Sequence, residues 1–148
     1  NQTLGELNDR GVQFFVPGGN EQEYYESCKK KGLRVPESLL PSVLSVPNAH
    51  TVGAIDTKGT ATPDDDEVAG FSVREPNVKY LAPGVDISVS DGVVTEVLSG
   101  TSFSSPYAAA SYEKLRQENP RLSGSQLHQL LAKGQMGDDP HGPLAVVL

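Results

Sequence analysis

The sequence predicts an α/β protein built on a mostly parallel sheet, and three stretches carry that expectation. Residues 12–16 are a nearly unbroken apolar run, and the loop Pro17-Gly18-Gly19-Asn20 follows at once. A buried parallel strand reads this way, and its carboxyl end opens where α/β proteins place their sites. The segment His50-Thr51-Val52-Gly53-Ala54-Ile55-Asp56 supplies further apolar strand material. Residues 99–110 then form a tight glycine turn bearing hydroxyls, followed directly by a small-residue helix.

The bulk properties set the frame. A chain of 148 residues with 36% hydrophobic content buries a real core, and one domain is expected. Fifteen glycines and eleven prolines imply many sharp turns between short elements. A formal charge of -7 argues against a nucleic-acid partner, since no basic patch exists to meet phosphates. The single cysteine, Cys28, excludes an internal disulfide. No apolar run reaches the roughly 18 residues of a membrane-spanning helix, so no membrane partner is expected.

In chain order, Leu4 and Leu7 lie three apart and the segment stops at Gly11, which predicts the last turns of an amphipathic helix. Residues 21–42 are a charged surface excursion, where Glu26 and Lys30 have the spacing of a short helix. Residues 41–46 read as strand material, as do residues 50–56. His50 falls at a strand end or in a loop. The run Asp64-Asp65-Asp66 lacks the alternating spacing of a calcium loop and reads as a solvated acidic face, so no metal is expected. Residues 86–90 and 92–98 predict a hairpin with a two-residue turn at Asp91-Gly92. The next helix, from about Phe103, accommodates Pro106 in its first turn and ends before Asn119-Pro120. Its alanines at 108–110 make it thin enough to be buried on most faces. Ser123 and Gln126 form a capping box for a last helix, with Leu127, Leu130 and Leu131 as its apolar stripe and His128 half-exposed beside it.

The chemistry resides in the serine stretch. A serine at a helix N-terminus stands among unpaired N–H groups that favour developing negative charge, which suits a nucleophile beside an oxyanion. The same position is also the ordinary place of an N-cap, and local chemistry leaves both readings open.

The segment Gly100-Thr101-Ser102-Phe103-Ser104-Ser105-Pro106-Tyr107-Ala108-Ala109 resembles the serine motif of the subtilisin-like serine peptidases. Phe103 stands where that motif usually has methionine, and Tyr107 where it has histidine. Gly18-Gly19-Asn20 is similar to the family's oxyanion asparagine turn, Val52-Gly53-Ala54-Ile55-Asp56 to a following strand, and Ala82-Pro83-Gly84 to a third segment, all in the family's order. The resemblance implies a three-layer subtilisin-like α/β fold. It implies Ser102 as the acylated nucleophile and Asn20 as an oxyanion donor, with Pro17, Gly18, Gly19 and Thr101 along the substrate. It also implies peptide or protein substrates, no cofactor, and an extracellular or secretory setting.

Serine catalysis also needs a base and an acid that orients it. The three histidines, His50, His128 and His141, do not match the family's histidine segment, and no stretch matches its aspartate segment. Residues 1–148 are therefore expected to form the C-terminal portion of a subtilisin-like peptidase domain. An N-terminal portion, as a companion chain, would supply Asp and His, and this chain alone is expected to be inactive. The competing expectation is a non-catalytic pseudo-peptidase or peptide-binding module. An esterase-type elbow is disfavoured, because Gly100-Thr101-Ser102-Phe103-Ser104 lacks its second glycine.

Overall fold

Helix α1 (Gln2–Asp9) ends where Gly11 turns the chain at φ +85°, and the Val12 N–H reaches back to the Leu7 carbonyl at 3.0 Å. This is the closure a glycine after a helix provides. A computed structural model of the protein describes residues 2–34, 49–74, 78–132, 134–136 and 144–146. The strand expected at 41–46 and His141 lie outside those residues.

Strand β1 (Phe14–Pro17) starts two residues later than the apolar run and is half-buried, with Pro17 exposed. The expected fully buried strand is thus corrected. Val12 is used up in closing α1, and among the described residues β1 pairs only with β2 (Ala49–Asp56), in parallel. Helix α2 (Gln22–Lys30) occupies the charged excursion and buries Gln22, Tyr25 and Cys28. Strand β3 (Glu67–Val68) runs antiparallel to β2, and β4 (Val78–Pro83) runs parallel to it. With β7 at Gly134–Met136 and β8 at Leu144–Val146, the central sheet has the order β1-β2-β4-β8-β7, and β3 is attached to β2. Strand β8 joins β4 in parallel, and β7 joins β8 antiparallel. The sheet is therefore mixed, its three parallel pairings flanked by antiparallel ones.

Each face of the sheet carries an apolar cluster, and strand alternation assigns the side chains. Val52, Tyr80 and Ala82 pack with Ala108, Tyr112, Leu127 and Leu131 of α3 (Thr101–Glu118) and α4 (Gly124–Leu131). Ile55, Val78 and Leu81 form the second cluster. Val78 shares a face with Leu81, despite the odd spacing, because the register slips by one residue between Thr51 and Val52. Helix α4 carries the expected capping box, with Ser123 accepting from the Gln126 N–H.

Helix α3 begins two residues earlier than predicted, which puts Pro106 in its second turn. Proline has no N–H to give the carbonyl four residues back, so the Ser102 carbonyl lacks its helical donor. The helix is buried along one stripe, Thr101, Ser104, Ser105, Ala108 and Tyr112, while Ala110 is exposed.

The expected hairpin forms from β5 (Ile87–Ser90) and β6 (Thr95–Leu98), which among the described residues pair only with each other. Its turn differs from the two-residue expectation. Asp91 accepts the N–H groups of Val93 and Val94 through Oδ1, each at 2.8 Å, and this closes a four-residue loop with Gly92 at φ +93°. Val93 at its tip is 90% exposed.

Between the strands, the buried Ser72 hydroxyl accepts the Ala54 N–H at 2.9 Å. Replacing Ser72 by alanine leaves that buried donor unpaired. The variant should lose about 1–3 kcal/mol of stability, measured by urea unfolding against the parent chain.

Candidate active site

The carboxyl ends of β1 and β4 converge on the amino end of α3. After β1, the Gly18 N–H donates to the Val52 carbonyl at 2.8 Å. A Cβ on Gly18 would lie 3.1 Å from that oxygen, so the glycine lets loop and strand touch. Gly19 turns at φ +105° and donates its N–H to Thr101 Oγ1 at 3.2 Å. Asn20 follows, exposed, at the mouth of this loop.

Asn20 is held by its side-chain oxygen. Oδ1 accepts the Thr101 backbone N–H at 2.9 Å and the Thr101 hydroxyl at 3.0 Å. Both partners donate, which fixes the amide orientation: oxygen toward α3, nitrogen away. Nδ2 has no partner among the described residues, so its two hydrogens remain available to a ligand. Gly100 precedes the helix at φ +157° and ψ +159°, a region essentially reserved for glycine. A Cβ there would stand 3.3 Å from Asn20 Nδ2.

Gly84, past the end of β4, supports this turn from below. Its carbonyl accepts the Gly100 N–H at 2.8 Å, and its own N–H donates to the Ile55 carbonyl at 3.1 Å. A Cβ on Gly84 would collide with Ser104 Oγ and stand 2.8 Å from Ala54 Cβ and 3.0 Å from the Gly100 oxygen. The Ser104 hydroxyl is fully buried and has no hydrogen-bond partner among the described residues. In the sequence, Ala82-Pro83-Gly84 stands out only by its resemblance to a family segment. Nothing local to it signals contact with a turn 16 residues away.

Ser102 is the second residue of α3, and its side chain is exposed. It therefore sits in the first turn, where backbone N–H groups lack helical acceptors. Of the residues assigned to the substrate, Pro17 is exposed and Gly19 partly so, while Gly18 and Thr101 are buried. The Thr101 hydroxyl faces Asn20 and Gly19 rather than solvent.

The structure puts His50 and His128 elsewhere. His50 is the second residue of β2, opposite Phe15, so it lies at the amino end of the sheet while Asn20 follows the carboxyl end of β1. Its ring centroid is 4.1 Å from that of His128 on α4. Burial pushes His50 down to about 4, with the neighbouring His128 and Lys79 adding to the effect. Burial and then Lys79 lower His128 as well. His50 is at a strand end, as the sequence predicts. Its pairing with His128 has no sequence signal, because 78 residues separate them.

A profile of the Subtilase family, Peptidase_S8, matches residues 2–139, and the chain belongs to that family. It is 36% identical over 105 residues to "Serine protease AprX" of Bacillus subtilis (strain 168), spanning 57% of this chain and 24% of that protein. It is 40% identical over 75 residues to "Cell wall-associated protease" of the same organism, covering 49% of this chain and 8% of that protein. The fold matches the "Crystal structure of a cold adapted subtilisin-like serine proteinase" with a TM-score of 0.62 and 28% identity, over 93% of this chain and 45% of that one. The chain thus spans less than half the length of each.

Gly84→Ala should cost on the order of 1–3 kcal/mol, because neither strand nor helix backbone can yield easily. Gly70→Ala, whose Cβ would meet only Glu23 Oε1 at 3.5 Å, should change stability by less than about 0.5 kcal/mol. Parallel denaturant titrations of the two variants check the contrast.

Proposed function

We propose that residues 1–148 are the C-terminal portion of a subtilisin-like serine endopeptidase domain, carrying its nucleophile and its oxyanion donors. The observation that carries this reading is the anchoring of Asn20 by Oδ1 to Thr101, which leaves Nδ2 free beside the exposed Ser102.

In the proposed reaction Ser102 Oγ attacks the carbonyl carbon of a peptide bond and gives up its proton to a histidine. Asn20 Nδ2 and the Ser102 backbone N–H hold the resulting oxyanion. Collapse breaks the C–N bond, the histidine returns the proton to the leaving amine, and water then hydrolyses the acyl-enzyme. Backbone from Pro17 to Gly19, with Thr101 behind it, borders the substrate on the acyl side.

The histidine and its orienting aspartate come from an N-terminal portion of the same domain, present as a companion chain. Two features support an outside source. His50 and His128 belong to the opposite end of the sheet, and the outer edge of β1 has no paired strand among the described residues. Family kinship supports an extracellular or secretory setting for the assembled enzyme.

Intact mass of the native preparation, before and after a fluorophosphonate probe, tests the reading. We expect a companion polypeptide and a single adduct on this chain, abolished by Ser102→Ala. Asn20→Ala should slow adduct formation by about 10²–10³-fold, the usual cost of one oxyanion donor. A companion without an adduct would make this chain a non-catalytic peptide-binding module. A folded, solitary and unreactive chain would overturn the catalytic assignment.

A further inference from the structure

At the amino end of the sheet, far from the serine, three polar side chains from distant parts of the chain meet at one atom. Gln13, in the connection between α1 and β1, presents its Oε1 to His50 Nε2 and to His128 Nε2, each at 2.9 Å. An amide oxygen only accepts, so both histidines carry their proton on Nε2. In the neutral rings both Nδ1 atoms are then bare lone pairs. That of His128 receives the Tyr80 hydroxyl at 2.8 Å. That of His50 is buried and has no hydrogen-bond partner among the described residues.

This arrangement is closed to additional protons. A proton arriving at His128 Nδ1 confronts the Tyr80 hydroxyl, which must turn round to accept it. One arriving at His50 Nδ1 becomes a buried, unpartnered cationic N–H. The rings lie 4.1 Å apart, so two imidazolium charges would repel strongly. The packed surroundings offer no compensation. From β4 the groups are Lys79, whose ammonium is pinned to the Ala49 carbonyl at 3.1 Å, and Tyr80. From α3 comes the Tyr112 ring, 4.8 Å from His128, and beyond it Glu113 is already paired with Arg116. From β1 comes the apolar Phe15 ring, 5.2 Å from His50. Among the described residues neither histidine pairs with a carboxylate.

We propose that Gln13, gripped by His50 and His128, is an acid-released latch that holds the α1–β1 connection against the amino end of the sheet. At neutral pH the latch is closed, and one amide ties together the α1–β1 connection, β2 and α4. The open form leaves both imidazoles hydrated with their ordinary affinity for protons, while the closed form holds that affinity down. Closure is therefore favoured above the ordinary histidine range near 6.5 and is lost progressively as pH falls toward about 4. His128 takes the first proton, because Tyr80 can be made to accept from it. The second proton, on His50, completes release. The device is separate from the Ser102 site, and its test does not depend on peptidase activity.

Hydrogen exchange of the full chain, followed by mass spectrometry at pH 7.5 and pH 4.5 and corrected for the intrinsic pH dependence of exchange, reads the latch directly. We expect protection of peptides covering residues 4–16 to fall at least tenfold at the lower pH, while peptides from the middle of α3 change less than threefold. In the His50→Gln/His128→Gln double variant, which keeps neutral donors and cannot charge, the difference between the two pH values should shrink below threefold. Protection of residues 4–16 that does not vary with pH would overturn the proposal, as would an undiminished pH response in the double variant. Should the double variant fail to fold, side-chain NMR of the parent chain decides. The Gln13 amide resonances must shift with the same midpoints as the His50 and His128 rings, and independent titration of the three groups would overturn the latch.

Discussion

The oxygen of one asparagine side chain fixes the relation between the two halves of the site. By accepting both the N–H and the hydroxyl of Thr101, Asn20 Oδ1 ties the loop after β1 to the first residue of α3. Everything nearby is shaped to permit that contact. Gly100 takes a backbone conformation closed to other residues, so that its missing Cβ leaves room for the amide. Gly84 presents its carbonyl to the Gly100 N–H from the end of β4. The Gly19 N–H closes the ring by donating to the same Thr101 hydroxyl. These bonds connect two strand ends and a helix start through groups that have little freedom to move separately.

The two ends of the sheet hold polar groups on opposite principles. At the carboxyl end, Asn20 Oδ1 accepts two donors, and Asn20 Nδ2 is a donor with no partner among the described residues. At the amino end, one acceptor serves two donors, and a buried lone pair on His50 has no partner among the described residues. Such a cluster tolerates neutrality only. The strands that separate these ends are lined on both faces by apolar clusters, so each end keeps its own electrostatic character.

Local chemistry announced the elements whose boundaries are local. The stop at Gly11, the capping box of Ser123 and Gln126, and the end of α3 before Pro120 follow from single residues acting on their neighbours. The turn at Asp91 escaped because its carboxylate captures two backbone N–H groups, and that competition outweighs the preference for a shorter turn. Pro106 suggests a first turn and so a later start for α3, whereas the helix begins at Thr101, whose N–H is met by the distant Asn20. The motif around Ser102 was legible through its resemblance to a family. The support given by Gly84, Ser104 and Thr101 was not, since it depends on packing between segments far apart in sequence. The histidine pair was hidden for the same reason.

The bond from Thr101 to Asn20 spans 81 residues, and the one from His128 to Gln13 spans 115. Closing a loop of 81 residues costs about 2 kcal/mol more in chain entropy than closing one of ten. Contacts of this range form slowly and reward the chain only after its local structure exists. During synthesis at roughly 5–20 residues per second, Asn20 waits about 4–16 s before Thr101 has even been made. The loop that follows β1 therefore emerges with its amide unanchored, and its final shape is imposed by a helix whose first residue is made 81 residues later.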